Sequence, residues 1–345
     1  MKIFAIIAGI LAGFLFGLAT PFSKILLSGL NSFQLAGLLY LGAALAMTPF
    51  AIRRDSHIKE LFKSGSRYRT AGIIVFGGFA GPLFLLAGLK LANAASVSIW
   101  LNMELVATAV LGVIIFKDSL DKSGWIGVGL TIMAGIITSF GEGSSGLLSA
   151  SFITAACICW GVDNHLTALV DGVSPQIVTF VKGVIAGVVN LAIGTLWLNH
   201  FVMISDIAPA IIVGMFSYGI SIVLYVISAQ NIGATRSQIL FSTAPIWGVV
   251  FSYLVLGEAF QWNHLISIVL LMLAVVITNL LSHHHYHEHA TMEHLHFHQH
   301  KDGHHDHSHD EKDSGHQWHS HIHKHEPLSH DHPHDPDLHH RHEHE

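Results

Sequence analysis

Ten stretches of mostly apolar residues fill the first 282 positions of this chain: 3–22, 31–52, 70–89, 94–116, 122–140, 146–169, 174–198, 207–228, 233–256 and 262–282. A bilayer's hydrocarbon core is about 30 Å thick, and a helix needs ~20 such residues to cross it. Lipid offers no partner for backbone N–H and C=O groups, so runs like these must be helices. Composition agrees: only 12% of residues are charged, against 51% hydrophobic, where a soluble domain has about 25% charged. That excludes a soluble enzyme. The apolar body contains no Ser/His/Asp grouping, phosphate loop or metallohydrolase motif, so no enzyme is expected. The net charge of −6 leaves no basic surface for nucleic acid.

The first stretch follows Lys2 and has the features of a signal peptide as an alternative. Its apolar run is long, and Pro21 and Lys24 follow it, so it is read as a retained span. Orientation comes from basic loops, which favour the cytoplasm. The 53–69 loop holds Arg53, Arg54, Lys59, Lys63, Arg67 and Arg69. Placing it inside puts the N-terminus inside, together with Lys2, Lys117, Lys122 and Arg236. Ten crossings then return the C-terminus to the cytoplasm.

The body repeats itself. Shifted by 140 positions, Leu91–Thr138 overlies Asn231–Thr278 without a gap, placing Asp118 on Glu258 and Ala94 on Ala234. An acid therefore follows the fourth and ninth spans at one offset. Five spans per half is odd, so the halves must run in opposite directions. An inverted repeat of this kind is common among secondary transporters, whose sites lie near the bilayer midplane at the repeat interface. The expected fold is all-α: ten transmembrane helices as two inverted five-helix repeats, 1–140 and 144–282, followed by a His-rich tail, 283–345.

Three segments carry a family resemblance. They are "GLKLANAASVSIWLNMELVATAVLGVIIFKDSLDKSGWIGVGL", "STAPIWGVVFSYLVLGEAF" and "CICWGVDNHLTALV" with Trp160-Gly161. In these the body, roughly residues 1–282, resembles the EamA-like branch of the drug/metabolite transporter superfamily. The resemblance implies a multi-pass transporter of the bacterial inner membrane. Leu105 stands where that family often has Pro after the acid of the fourth span, so the sequence supplies no proline to bend that helix. Trp160-Gly161-x-Asp163-Asn164, Lys182-Gly183 and the tail together look like a subgroup, which brings no substrate with it.

An ionisable group within a span is expensive and therefore a candidate for function. Glu104 lies about ten residues into the fourth span, ~15 Å below its edge at 1.5 Å per residue, with Asn102 beside it. A carboxyl there can carry a proton or hold a cation; the alternative is a neutral Glu bonded between helices. Asp163 and Lys182 lie at matched depth, ~9–12 Å from the inner edge. Opposite charges at one depth predict an Asp163–Lys182 ion pair, serving as a strut or as a gate. Asn164 and His165 extend the polar run. Cys159 shares a helical face with Asp163, but His165 does not, so Cys157 and Cys159 read as buried and inert. Pro245 interrupts the ninth span after Ser242 and Thr243 and frees the carbonyl of Phe241. The substrate and coupling path is thus expected along Glu104, Asn102, Asp163, Asn164, Lys182 and Pro245. Trp100 and Trp247 are candidate cavity walls, while Gly13, Gly17, Gly77, Gly78 and Gly81 read as packing.

Of the 29 histidines, all but His57, His165, His200 and His264 fall after Leu281. The tail has too few apolar residues to offset chain entropy, so disorder without a ligand is expected. Its alternating His-x-His runs suit transition metals such as Zn, Ni, Co or Cu. The candidate ligands are His283, His284, His285, His287, His289, His304, His305, His307, His309, His321, His323, His325, His339 and His340. The body requires no cofactor. Three readings of function follow: a secondary transporter of a small solute, export favoured; a transition-metal transporter fed by the tail; or a membrane-anchored metal buffer or sensor. The expected partners are a small molecule or metal ion and the lipid bilayer, with a homodimer one open option.

Overall fold

The computed structural model describes residues 2–52, 57–116, 120, 122–170, 173–198, 203–232, 237 and 240–280, and in the tail 286–289, 292–298, 319–325 and 328–331. The body's helices, in chain order, are α1 (Ile3–Leu26), α2 (Ser32–Ala51), α3 (Arg67–Leu89), α4 (Ala94–Ile115), α5 (Lys122–Ser139), α6 (Gly143–Ala168), α7 (Pro175–Trp197), α8 (Ile204–Ser228), α9 (Ala244–Leu256) and α10 (Trp262–Leu280). Seven of them, all but α5, α9 and α10, are long and apolar enough to cross a membrane. The other three stand where the remaining spans are expected. α1 continues through Pro21 to Leu26, beyond its expected end at 22.

Local chemistry sets the helix ends. Asn31 and Gln34 form a reciprocal capping box at the start of α2, each side chain accepting the other's backbone N–H at 2.9 and 3.1 Å. α9 stops at Gly257, whose φ of 66° is the left-handed conformation that glycine adopts freely. Large apolar side chains point away from the bundle: Leu254 is 74% exposed and Leu196 77%. Apolar surface on this scale has its solvent in lipid tails.

The packing obeys a pseudo-twofold pattern. α2 packs on α7, and α5 on α10. α6 packs on α3 and α4, while its counterpart α1 packs on α8 and α9. Each half therefore lays its first helix against the third and fourth of the other, as an inverted repeat requires. Close approach depends on missing side chains. A Cβ on Gly17 would lie 2.5 Å from the Ala244 carbonyl of α9.

In the tail, the described backbone forms two paired segments. Tyr286–His289 pairs antiparallel with Leu328–Asp331, and Met292–His298 with His319–His325. The sequence there alternates with period two, His294-Leu295-His296-Phe297, which is strand periodicity. Of the candidate ligands, His287, His289, His321, His323 and His325 lie on these strands. His283, His284, His285, His304, His305, His307, His309, His339 and His340 lie outside the described residues, as do Lys117 and Asp118.

Candidate functional site

Two helices of the body break at matching places. α4 turns at Leu101–Asn102, and a turn at Ser242–Thr243 precedes α9. No proline bends α4. Asn102 does it instead: its backbone N–H and its side-chain Nδ2 both donate to the Ile99 carbonyl, each at 3.1 Å. Thr243 does the same in the second half, its N–H and hydroxyl both donating to the Leu240 carbonyl at 3.3 and 2.8 Å. The correspondence lies one position off the 140-residue shift. The thiol of Cys157 sits against the carbonyls of Trp100 and Leu101, at 3.9 and 3.7 Å; the Leu101 carbonyl also accepts the Glu104 N–H at 3.1 Å.

Glu104 lies just beyond the α4 break. Asn164 of α6 donates from Nδ2 to Glu104 Oε1 at 2.9 Å, and to the Thr108 hydroxyl at 3.4 Å. Among the described residues no Lys or Arg pairs with Glu104. Asn164 is exposed and Glu104 partly so, although both lie well inside their helices.

One position away, Asp163 is 4% exposed. Lys182 of α7 donates to its Oδ2 at 2.6 Å, so the pair expected from matched depth is formed. Gly77 of α3 makes room for it: a Cβ there would fall 2.2 Å from the Asp163 carboxyl carbon. The Gly77 carbonyl accepts from the Tyr40 hydroxyl and from Trp160 Nε1, the latter at 3.3 Å. Gly77 is thus part of the polar site as well as a packing glycine.

Pro245 sits in the first turn of α9, just after the Thr243 turn. Trp100 is 2% exposed and donates to the Gly135 carbonyl at 3.0 Å, which makes it packing and not cavity wall. Trp247 packs edge-on against Phe14, with ring centroids 5.2 Å apart. Among the described residues no three His, Cys, Asp or Glu side chains are grouped to hold a metal. His165 hydrogen-bonds the Gly161 carbonyl at 2.8 Å.

A second polar cluster, invisible as a unit in the sequence, closes the end of the bundle opposite the 53–69 loop. It gathers at the N-terminus of α4. Glu258 accepts the backbone N–H groups of Ala94 and Ala95 at 2.7 and 3.0 Å. Glu142 accepts Asn93 N–H at 3.3 Å, Asn93 Nδ2 at 2.9 Å and the Ser96 hydroxyl. His264 Nε2 lies 2.8 Å from Ser96 Oγ, and its Nδ1 lies 2.8 Å from the Tyr253 hydroxyl. A carboxylate only accepts, so the Ser96 proton goes to Glu142. His264 must then donate from Nε2 and accept from Tyr253 at Nδ1. Lys24 donates to the Leu89 and Ala92 carbonyls, the latter at 2.8 Å. Residues from the ends of α1, α3, α5 and α9 thereby converge on one helix end, where carboxylates are favoured by the unpaired N–H groups. The sequence signal for this cluster was the placement of Glu142 and Glu258 directly beside spans, together with a His early in the last one.

Broken helices at equivalent positions of two inverted halves are the mark of a transporter core. The profile of the EamA-like transporter family matches the chain twice, over residues 3–140 and 147–280. The chain belongs to the EamA-like transporter family. It is 25% identical over 295 residues to an uncharacterized transporter of Methanothermobacter thermautotrophicus, covering 80% of this chain and 86% of that one. It is 23% identical over 231 residues to the uncharacterized transporter YyaM of Bacillus subtilis, covering 63% and 74%. A solved crystal structure superposes with a TM-score of 0.55 at 16% identity, over 81% of this chain and 98% of its own, and shows the fold alone. This EamA-like protein is a multi-pass membrane transporter and not an enzyme.

Proposed function

We propose that this EamA-like chain is a secondary-active carrier that exports a small organic solute by alternating access. The observation that carries the reading is the pair of broken helices, α4 at Asn102 and the Thr243 turn before α9, with Glu104 beside the first. Freed backbone groups and a carboxyl at mid-span are what a carrier presents to its cargo. The cluster at the N-terminus of α4 is buried, with Ser96 0% and His264 1% exposed, whereas Asn164 is exposed. This supports a state closed at the α4 N-terminal end, with Glu104 facing the end that bears the 53–69 loop. By the basic-loop rule that end is read as cytoplasmic; in this reading the chain has ten spans in a bacterial inner membrane, with both termini inside. Asp163 and Lys182 act in this reading as the gate beside the site, with Asn102, Asn164 and Pro245 along the path.

The His-rich tail is read as a cytoplasmic chelating segment for Zn, Ni, Co or Cu, and as the mark of a subgroup within the family. Metal as cargo is the weaker reading, because the described body groups no three metal-ligating side chains. Solute counterflow in vesicles carrying the full chain, a chain lacking residues 283–345, and Glu104→Gln tests the proposal. Counterflow that survives the tail deletion and is lost in Glu104→Gln supports it. Metal flux that depends on the tail overturns it in favour of a metal carrier.

A further inference from the structure

The longer strand pair of the tail sets histidine against histidine. Met292–His298 runs antiparallel to His319–His325, with His294 opposite His323, His296 opposite His321 and His298 opposite His319. Successive residues of a strand alternate between its two faces, and directly opposite residues share one. These histidines therefore fall on one face as three consecutive rungs. The other face has Glu293 opposite Lys324 and Leu295 opposite Ile322. Opposite charges and matched apolar residues favour the register that pairs them, so the residues between the histidines support the same alignment.

Backbone spacing makes two adjacent rungs a chelating frame. Opposite Cβ atoms lie about 5 Å apart, and positions two residues apart along a strand lie about 7 Å apart. Four histidines on neighbouring rungs thus stand at the corners of a rectangle, each about 4 Å from its centre. An imidazole ring and a metal–nitrogen bond of about 2.0–2.1 Å cover that reach. Neutral imidazole suits borderline divalent cations, and four of them make the closed tetrahedral shell of a structural zinc site. The shorter strand pair has a single His–His rung, His287 opposite His330, with Glu288 opposite Ser329 and His289 opposite Leu328 beside it. It offers no second rung and no such frame.

A two-stranded ribbon is marginally stable at best in water. An ion bonded to both strands holds them together, and its binding free energy becomes folding free energy.

We propose that a borderline divalent cation, with Zn2+ as the type, binds between adjacent rungs of this ladder and pins the two strands in register. His296 and His321 form the middle rung and belong to the site in both of its placements. The remaining ligands are His294 and His323 in one placement, His298 and His319 in the other. The ion itself draws the imidazoles together. The inference rests on the reading of the tail as a chelating segment and gives that segment its site. It makes the middle rung indispensable and each end rung replaceable, which a tail of interchangeable histidines would not do.

Zinc is the probe, its affinity for the purified full chain measured by competition with a chromophoric chelator. His296→Gln together with His321→Gln leaves no four imidazoles on adjacent rungs and should weaken the tightest site at least about tenfold. His294→Gln with His323→Gln, or His298→Gln with His319→Gln, removes as many imidazoles but leaves one frame whole. Either should weaken the site by no more than about twofold, the loss of one of two placements. Nitroxide labels on Leu295→Cys and Ile322→Cys should show dipolar broadening in the zinc-loaded chain; Cys157 and Cys159 are buried and take no label. Equal losses from the middle and end rungs, or zinc-loaded labels without broadening, overturn the ladder and leave the tail a chelator without a defined site. Zinc binding unchanged in a chain lacking residues 283–345 overturns the chelating tail, and the ladder with it.

Discussion

Glu258, at the end of the second repeat's fourth helix, caps the fourth helix of the first repeat by accepting the N–H of Ala94 at 2.7 Å. The bond joins the two halves, and it does so at the helix that carries Glu104. α4 breaks at Asn102, so the cap acts on its first segment, Ala94–Trp100.

Glu258→Gln keeps the shape and one acceptor oxygen but removes the charge from the helix end. Loss of a cap and of its interaction with the helix terminus is worth about 0.5–2 kcal/mol. Purified protein should show a lower thermal midpoint. A cysteine placed at Ser98, just below the cap, should react faster with a membrane-impermeant maleimide applied from the side opposite the 53–69 loop. Unchanged labelling would mean that Glu258 holds a static joint and no gate.

Asp163 and Lys182 form a buried pair whose members should not be separable. Removing either partner alone, as Asp163→Asn or Lys182→Met, leaves a buried charge and should destabilise by about 3–5 kcal/mol. Removing both together should recover most of that loss. Reversing the charges should not, because Gly77 approaches Asp163 too closely for a lysine there. Gly77→Ala should mimic the single loss, since the new methyl would displace the carboxyl. Thermal unfolding of the set in detergent decides it: additive single effects in the neutral double variant would mean that the pair contributes no coupling.

Much of this site could be read before any coordinates. Glu104, Asp163 and Lys182 stand out because an apolar span has so few charges, and matched depth was enough to pair the last two. The break in α4 was not legible, because Asn102 makes it by hydrogen-bonding back to Ile99, and an Asn carries no breaker signal as strong as Pro. The cluster around Ser96 and His264 was hidden for another reason. Its members sit at span ends, where polar residues are ordinary, and only the fold brings five chain segments together.

The tail should release metal on acidification. Imidazole binds metal only when neutral, and an unperturbed His titrates at about 6.5. Protons therefore compete as the pH falls through that value, and affinity is regained above it. Ni or Zn bound per full-length chain, measured by equilibrium dialysis, should drop severalfold between pH 7.5 and pH 5.5. A chain lacking residues 283–345 should bind little at either pH. Equal binding by the shortened chain would place the metal sites in the body.

Ser96 and Tyr253 make a sharper test of the polar cluster, because they bond to the two nitrogens of one ring in opposite senses. Ser96 accepts from His264 Nε2 and donates to Glu142, so Ser96→Ala strands a buried N–H and strips Glu142 of a donor. A buried donor left without a partner costs about 1–3 kcal/mol. Tyr253→Phe removes only the donor to Nδ1, leaving an acceptor whose loss is nearer the ~1 kcal/mol of an ordinary bond. Ser96→Ala should therefore lower the thermal midpoint more than Tyr253→Phe. The two together should cost less than their sum, because a ring released at one end can turn to satisfy the other. Equal single effects, or strict additivity, would show that the ring is held by packing against Tyr253 and not by the directed chain from Tyr253 through His264 and Ser96 to Glu142.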